Sequence, residues 1–176
     1  MSEKRYDAAW IHATLKRLAE EVLADLAPGR RFAVVGIRTR GAVLARRLAD
    51  LLLARGVPLE FGQIDSTLYR DDIASGGGRK AIRASDIPFD LTGAHILLVD
   101  DVLSTGRTIR AAITELMDFG RPAAIRLLCL IDRGGRELPI QPDFLGASVT
   151  VKDDRKLQLH VTEIDGADEI VLENGA

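Results

Sequence analysis

The stretch "HILLVDDVLSTGRTIRAAI", residues 95–113, decides the fold of this chain. Four apolar residues lead directly into two neighbouring aspartates, and a short segment of small, hydroxyl and cationic residues follows. From residue 105 onward the apolar residues recur at helical intervals, and "GRP" ends the pattern after Phe119. The stretch therefore predicts a buried strand, a polar turn and a helix over 105–119, which is the repeating unit of an α/β protein.

The same alternation of strands and helices continues on both sides of this stretch. Two further helices are predicted over 7–26 and 41–56, where apolar residues recur every three or four positions. Apolar runs bounded by turn residues predict six strands: 30–37, 59–69, 95–101, 123–134, 144–151 and 156–165. The last two of these are expected to complete the sheet. Since no repeat or linker divides the chain, we expect one α/β domain over residues 1–176, with a mainly parallel central sheet flanked by helices.

Composition and charge limit the classes of partner. Hydrophobic residues make up 47% of the 176 residues, enough for one core, and the formal net charge of -2 gives no overall preference for a polyanion. The single cysteine, Cys129, excludes a disulfide framework. The first ten residues lack the apolar segment of a secretory signal, and no apolar run is long enough to cross a bilayer. We therefore expect a cytoplasmic protein with no membrane partner.

Three polar loops follow strands of the predicted sheet: "GIRTRG" (36–41), "DDVLSTGRT" (100–108) and "IDRGGRE" (131–137). In a parallel sheet the carboxyl ends of the strands meet at one edge, and ligands bind in the crevice beyond it. We therefore expect these loops to converge on one ligand site. A further polar segment, 70–86, is rich in glycine, serine and charge and is predicted to be a mobile loop.

Asp100 and Asp101 lie at the end of a buried strand, where desolvating two negative charges costs free energy unless hydrogen bonds or opposite charges compensate for it. One interpretation is that Asp100 caps the next helix while Asp101 is solvated. The following segment, 103–108, favours another: it offers backbone N–H groups, three hydroxyls and Arg107 at a helix N-terminus, which suit a phosphate. Carboxylates beside a phosphate site suit ribose hydroxyls or a divalent cation. A ribose phosphate would satisfy both halves of the stretch.

The segment "ILLVDDVLSTGRT" (96–108) resembles the motif with which type I phosphoribosyltransferases bind 5-phosphoribosyl 1-diphosphate (PRPP). Four more segments resemble the PyrR family, whose members regulate pyrimidine operons and act as uracil phosphoribosyltransferases: "VGIRTRG" (35–41), "IDSTLYRDD" (64–72), "IPFDLTG" (87–93) and "IDRGGRELPIQPDFLG" (131–146). The order and spacing are similar, and the resemblance covers nearly the whole chain. It implies the type I phosphoribosyltransferase fold, with a flexible lid loop at about 67–85 and a small hood.

The resemblance assigns PRPP to the loop that contains the two acids. Asp100 and Asp101 would bind the ribose hydroxyls, directly or through Mg²⁺, and together with Arg38 they would be the catalytic residues. The PRPP-binding residues that it implies are Val99, Asp100, Asp101, Val102, Leu103, Ser104, Thr105, Gly106, Arg107 and Thr108. Pyrophosphate would be held by a turn whose two guanidiniums and backbone donors suit a diphosphate, namely Arg38, Thr39, Arg40 and Gly41.

The lid and the base site also follow from the resemblance. Arg70 and Arg83, in the lid loop, would reach phosphate when the lid closes and excludes water. Asp132, Arg133 and Val161 would face the uracil base. The reaction needs cations at the leaving group and a shielded sugar, and no strong protein nucleophile.

The resemblance further implies that pyrimidine-operon messenger RNA is a partner and that its binding attenuates transcription. Lys16 and Arg17 keep positive charge on the first helix, where the family has part of its RNA surface. Three places depart from the family pattern: Glu20 stands for a usual histidine, Gln141 for an arginine, and Asp153 with Asp154 occupies a stretch that normally carries a lysine. Each of these departures weakens the attraction to phosphates.

The resulting prediction is a PyrR-like uracil phosphoribosyltransferase, a pentosyltransferase that converts uracil and PRPP to UMP and pyrophosphate and forms homodimers or larger homo-oligomers. Ser104 replaces a usual tyrosine beside the sugar, and Gly135 replaces a usual histidine in the loop after the fourth long strand. Two alternatives stay open at this point. One is an RNA-binding regulator that turns over slowly, and the other is a purine-type phosphoribosyltransferase, because the PRPP motif alone does not identify the base.

Overall fold

The computed structural model describes residues 3–65, 85–151 and 155–174. Within these ranges the chain forms four helices: α1 (Ala8–Asp25), α2 (Arg40–Ala54), α3 (Arg107–Asp118) and α4 (Thr162–Asp165). The same ranges contain eight strands: β1 (Glu3–Asp7), β2 (Phe32–Ile37), β3 (Glu60–Ile64), β4 (His95–Leu103), β5 (Ala124–Asp132), β6 (Phe144–Ser148), β7 (Arg155–His160) and β8 (Glu169–Asn174).

Five strands form a parallel central sheet in the order β3-β2-β4-β5-β6. Successive residues of its inner strands point to opposite faces, so that Val34 and Leu97 join one buried cluster with α1 and α2, while Val35 and Leu98 join another with α3. A parallel sheet covered by helices on both faces has strands that are apolar throughout. The predicted α/β architecture is confirmed.

A second, antiparallel sheet joins the two ends of the chain in the order β1-β8-β7. The prediction that residues 156–165 complete the central sheet is wrong, because β7 pairs with β8 and the residues after it turn into α4. β6, by contrast, does complete the central sheet beside β5. The resemblance implies a small hood, and we call this three-stranded unit the hood sheet.

The predicted helices are confirmed with shifts of one or two residues at their ends. Asp7 caps α1 as its sequence position suggests, since its side chain accepts a hydrogen bond from the Trp10 N–H at 2.9 Å. The strand predicted over 59–69 is present as β3, and residues 66–84, which include most of the predicted lid loop, lie outside the described residues. Among the described residues, no helix combines the length and apolar character that a membrane span requires.

The register of the parallel strands brings the predicted polar loops to one edge. Ile37 at the end of β2 pairs with Ile64 at the end of β3, and Leu103 at the end of β4 pairs with Asp132 at the end of β5. Each loop leaves its strand at this edge, so the three loops converge there as expected.

Candidate active site

The turn between β2 and α2 packs directly against the first of the two aspartates. A Cβ atom added at Gly41 would lie 2.9 Å from the Val99 carbonyl oxygen and 3.1 Å from Oδ1 of Asp100. Only a residue without a side chain allows this approach. The peptide bond between Arg38 and Thr39 is cis, and the Arg38 N–H donates to the Ile64 carbonyl at 2.9 Å. The turn and the acid pair therefore form one surface.

The two aspartates differ in exposure. Asp100 is buried, with 6% of its surface exposed, whereas Asp101 is half-buried. Oδ1 of Asp100 accepts a hydrogen bond from the Asp101 N–H at 2.9 Å, and Oδ1 of Asp101 accepts one from the Val102 N–H at 2.8 Å. Of the two carboxylates, Asp101 is thus the more accessible to a ligand at the sheet edge.

The loop after β4 ends in a turn that leads into α3. Gly106 has a φ of 91°, a left-handed conformation that favours glycine, and it immediately precedes the helix. The Arg107 N–H donates to Oγ1 of Thr105 at 3.2 Å. The first turn of α3 therefore presents its N-terminus to the same edge as the two acids, which is the arrangement that suits a phosphate.

Arg136, in the segment that follows β5, holds this loop in place through hydrogen bonds. Its guanidinium donates to both carboxylate oxygens of Asp132 at 2.8 and 2.6 Å, to the Ser104 carbonyl at 3.0 Å and to the Ile140 carbonyl at 2.7 Å. The guanidinium holds the pKa of Asp132 below its usual value. Sequence reasoning missed Arg136, although it lies in the quoted loop "IDRGGRE" four residues after Asp132.

Two of the residues assigned to the base lie beside an open cleft of about 380 Å³. Asp132 and Arg133 line this cleft together with Gly134, Gly135 and residues 148–151. Gly134 and Gly135 have φ values of 73° and 77°, and a Cβ at Gly135 would meet Oγ of Ser104 at 3.7 Å. The two departures at 104 and 135 are therefore neighbours, and the turn is in a conformation that glycine adopts without strain.

Val161, the third residue assigned to the base, is fully buried in the core. Its N–H donates to Oδ2 of Asp165 at 2.9 Å, and its carbonyl accepts from the N–H groups of Ile164 and Asp165 at 3.0 and 2.7 Å. Val161 therefore immediately precedes α4, and its N–H and carbonyl are both hydrogen-bonded within this segment.

The two arginines of the turn differ in their partners. Arg40 forms a two-point ion pair with Asp165, at 3.1 Å from Nε to Oδ2 and 2.7 Å from Nη2 to Oδ1. Arg38 lines a cleft of about 260 Å³ with Arg46, Gln63 and residues of α2 and α4. Nε of Arg38 is buried and has no hydrogen-bond partner within residues 3–65, 85–151 and 155–174. A buried donor of this kind suits an anionic ligand.

The residues assigned to RNA lie on the exposed face of α1. Lys16 and Arg17 are both exposed, but the Arg17 guanidinium pairs with Glu21 and donates to the carbonyls of Leu145 and Gly146 at 3.2 and 2.8 Å. Glu20 forms an ion pair with Arg55. Oε1 of Gln141 accepts from Arg136 at 3.3 Å. Three further residues that the sequence singled out lie outside the described residues, namely Arg70, Arg83 and Asp153.

The acid pair fits a divalent cation that is shared with a substrate. In the part of the chain that the structure describes, no cluster of three or more side chains suited to a metal ion is present. Mg²⁺ commonly takes one or two carboxylates and completes its shell with water and substrate phosphates. Asp100 and Asp101 provide that donor set beside the phosphate-type loop, so they suit Mg²⁺ only together with a phosphorylated ligand.

Comparisons with known proteins agree with the geometry of this edge. Residues 6–157 match the phosphoribosyl transferase domain family. The chain is 47% identical to the bifunctional protein PyrR of Akkermansia muciniphila over 94% of this chain and 93% of that protein. It is 49% identical to the bifunctional protein PyrR of Roseiflexus sp. strain RS-1 over 94% of this chain and 92% of that protein.

Solved structures with a similar fold include hypoxanthine phosphoribosyltransferases. The Trypanosoma cruzi enzyme has a TM-score of 0.74 at 18% identity, covering 99% of this chain and 97% of that chain. The Staphylococcus aureus enzyme has a TM-score of 0.71 at 18% identity, covering 98% and 92% of the two chains. At this level of identity the likeness supports the fold and says nothing of the base.

Proposed function

Because this chain belongs to the PyrR family of proteins with a phosphoribosyl transferase domain, we propose that it converts uracil and PRPP to UMP and pyrophosphate. The observation that carries the proposal is the packing of the guanidinium turn on the acid pair. Gly41 allows the turn to lie against Asp100, so that donors for a diphosphate and acceptors for ribose hydroxyls share one surface. A sugar that carries a diphosphate at its anomeric carbon needs the donors for the diphosphate and the acceptors for its hydroxyls side by side.

The chemistry follows from the charge that develops as the sugar loses its diphosphate. The anomeric carbon becomes electron-poor while the leaving oxygen gains negative charge, so donors placed at the leaving group lower the barrier. In the proposed mechanism Arg38 and the backbone of Arg38–Gly41 stabilise the departing diphosphate. Asp101 and Asp100 hold the ribose hydroxyls, and the N-terminus of α3 holds the 5-phosphate.

Mg²⁺ shared by the acid pair and the substrate would neutralise charge on the diphosphate. The residues of this chain supply the orientation. Arg136 fixes the loop after β4 through the Ser104 carbonyl and fixes Asp132 through two hydrogen bonds. No side chain is required to attack the sugar, because the nitrogen of the base is the nucleophile.

A pyrimidine is the proposed base because the relatives that cover nearly the whole chain at 47% and 49% identity are PyrR proteins. The purine-type alternative rests on solved enzymes at 18% identity, and such a likeness reaches only the fold. The alternative is therefore not favoured.

The direct test is a turnover assay with purified protein, PRPP and Mg²⁺. We expect uracil to yield UMP and pyrophosphate, and hypoxanthine or guanine to yield no nucleotide. Omission of Mg²⁺ or of PRPP serves as the control. Formation of a purine nucleotide in place of UMP would replace this proposal by the purine alternative, and the absence of product with every base would refute both.

The second proposed role is UMP-responsive binding of pyrimidine-operon messenger RNA. Lys16 is exposed, whereas the guanidinium of Arg17 is held by Glu21 and two carbonyls, so the positive surface of α1 is small. We therefore expect weak binding with a shallow salt dependence, because few phosphates would be neutralised. A gel-shift titration with the leader RNA of a pyrimidine operon, with and without UMP, tests it, and the absence of any shift at low salt would leave the enzyme role alone. The homo-oligomeric state stays a prediction.

A further inference from the structure

Two arginines on one face of α2 hold the segment that follows β7. Arg40 and Arg47 are seven residues apart, which is two turns of a helix, so their side chains emerge on the same face. Each contacts an aspartate of residues 161–168, which we call the hood segment. Arg40 contacts Asp165 at 2.7 and 3.1 Å, and Arg47 contacts Asp168 at 2.7 and 2.8 Å.

Each of these aspartates also fixes a backbone amide of the hood segment. Oδ2 of Asp165 accepts the Val161 N–H at 2.9 Å. Oδ1 of Asp168 accepts the Thr162 N–H at 2.7 Å. Two consecutive amides, the first of them that of Val161, which the resemblance assigns to the base, are thus oriented by carboxylates that α2 holds in place.

The two ion pairs differ in strength and in position. Arg47 has two carboxylate partners, Asp168 and Glu163, and the pair lowers the pKa of Asp168 to about 2. Arg40 contacts one carboxylate among the described residues, that of Asp165, and it begins α2 inside the turn proposed to bind diphosphate. The hydrogen bonds to Asp165 raise the pKa of Arg40 above its usual value, and the carboxylate of Asp101 adds to the rise.

We propose that Asp165 is a positioning residue that competes with the diphosphate for Arg40 and thereby couples the diphosphate end of the site to the Val161 amide. This inference rests on the proposed function. The Nε–Nη2 edge of Arg40 is already filled by the two oxygens of Asp165. A diphosphate that uses the same edge must displace that carboxylate, because a guanidinium edge matches one pair of oxygens at a time.

The competition has a consequence at the base side. When Arg40 turns to a diphosphate, Asp165 loses the partner that orients it, and the Val161 N–H loses a fixed acceptor. Coupling between two sites is reciprocal, so ordering of the hood segment by a base or nucleotide weakens the hold of Arg40 on free diphosphate by the same factor. The arrangement would therefore favour release of pyrophosphate once the nucleotide has formed.

A double-mutant cycle on diphosphate binding tests the competition. Calorimetric titration of pyrophosphate with excess Mg²⁺ is measured for the wild-type protein, Asp165→Asn, Arg40→Ala and the double variant. The side-chain amide introduced by Asp165→Asn would keep one acceptor for the Val161 N–H and lose the charge that holds Arg40. We therefore expect about 3-fold tighter binding in this variant, the size of a partly exposed ion pair. In the Arg40→Ala background the same change should have no effect, because no guanidinium is released.

Asp168→Asn is the matched control, since it removes an ion pair from the same hood segment without touching Arg40. We expect it to lower the melting temperature and to leave pyrophosphate affinity unchanged. A melting curve for each variant verifies folding. Two results would overturn the coupling and leave the proposed enzyme activity intact. One is an equal gain in pyrophosphate affinity from Asp165→Asn with and without Arg40, and the other is no gain in a variant that is folded.

Steady-state kinetics supply a readout that a purely structural role would not move. We expect Asp165→Asn to lower the KM for PRPP and to raise the KM for uracil, because Arg40 is released at one end, and at the other the acceptor of the Val161 N–H is kept but no longer held in place by Arg40. A rise of both KM values together would contradict the inference. Absence of any pyrophosphate binding by the wild-type protein would instead remove the proposed function and this inference with it.

Discussion

Arg38 and Arg40 belong to one turn but stand in different electrostatic situations. Arg40 is paired with Asp165, while the buried Nε of Arg38 has no partner among the described residues. Desolvating a guanidinium nitrogen without an acceptor is unfavourable, and a ligand oxygen would relieve that cost. Arg38 can therefore bind an anion through Nε without losing a hydrogen bond, whereas Arg40 must first release Asp165.

Replacing Arg38 by alanine should reduce turnover while the fold stays intact. We expect kcat to fall about 100-fold, the usual effect of removing one donor that stabilises a developing anion. The melting temperature should change little, because the Arg38 N–H that bonds Ile64 is retained. Arg30→Ala is the control: this exposed arginine lies at the opposite edge of the sheet, where it contacts His95. Wild-type kcat in Arg38→Ala would contradict the assignment.

At the residue level the sequence predicted the two acids and the guanidinium turn, because their types and order are visible within a short stretch. It did not predict the partners of Arg40. Asp165 lies 125 positions along the chain, and no local pattern records which arginine it contacts. The acid-rich run "TEIDGADE" (162–169) and the seven-residue spacing of Arg40 and Arg47 were the available signals, and they become informative only once the hood segment lies on α2.

Among the elements, the junction of β2 with α2 is set by close packing. A Cβ at Gly36 would lie 2.5 Å from the Cα of Ala42, and one at Gly41 would lie 2.9 Å from the Val99 carbonyl. The first contact brings the start of α2 against β2, and the second brings it against β4. The diphosphate turn is therefore positioned by glycines as much as by its arginines.

Gly41→Ala should impair both stability and turnover. The new methyl group would meet backbone at 2.9 Å, so the turn must move away from Asp100. We expect a loss of about 1–3 kcal/mol in unfolding free energy, the usual cost of overpacking, and at least about a tenfold lower kcat. Urea denaturation and the uracil assay measure the two effects.

The control for this change is Gly29→Ala. Gly29 has a φ of 75° but nothing within 4 Å of an added Cβ, so the substitution should cost about 1 kcal/mol and leave kcat unchanged. Equal kcat values in Gly41→Ala and the wild-type protein would show that the contact with Asp100 does not position the turn.

The three long helices, α1, α2 and α3, and the strands of the central sheet were predictable because their apolar periodicity is strong and their ends carry caps and glycines. β1 was not, because "EKRYD" has almost no buried side chain and becomes a strand only by pairing with β8. The hood sheet is defined by pairing between the two ends of the chain, and periodicity within a segment contains no information on such a partner.

On the scale of the molecule, α2 links the two sheets. Its buried face packs on the central sheet, and its arginines hold the hood segment, so the hood sheet keeps its position partly through charge. Arg47 and Asp168 form the stronger of these links, and both are more than three-quarters buried, with 23% and 18% of their side chains exposed. A link of this kind should weaken when its carboxylate is protonated.

The acid dependence of stability should therefore change in Asp168→Asn. The ion pair lowers the pKa of Asp168 from 3.8 to about 2, so its stabilisation is fully present above pH 3.8 and is lost as pH falls towards 2. The shift corresponds to about 2 kcal/mol. We expect the variant to be less stable than the wild-type protein by about that amount at pH 7, and the difference to shrink below pH 4.

Denaturant unfolding at a series of pH values between 7 and 2.5 measures this difference. The other carboxylates titrate in both proteins, so subtracting one curve from the other isolates Asp168. Arg47→Gln should give a larger acid-dependent difference, because it removes the partner of both Asp168 and Glu163, and the pKa of each is lowered by its hydrogen bonds with Arg47. Two curves that remain parallel down to pH 2.5 would mean that Asp168 titrates as it does in the unfolded chain, and its ion pair with Arg47 would then contribute nothing to holding the hood segment on α2.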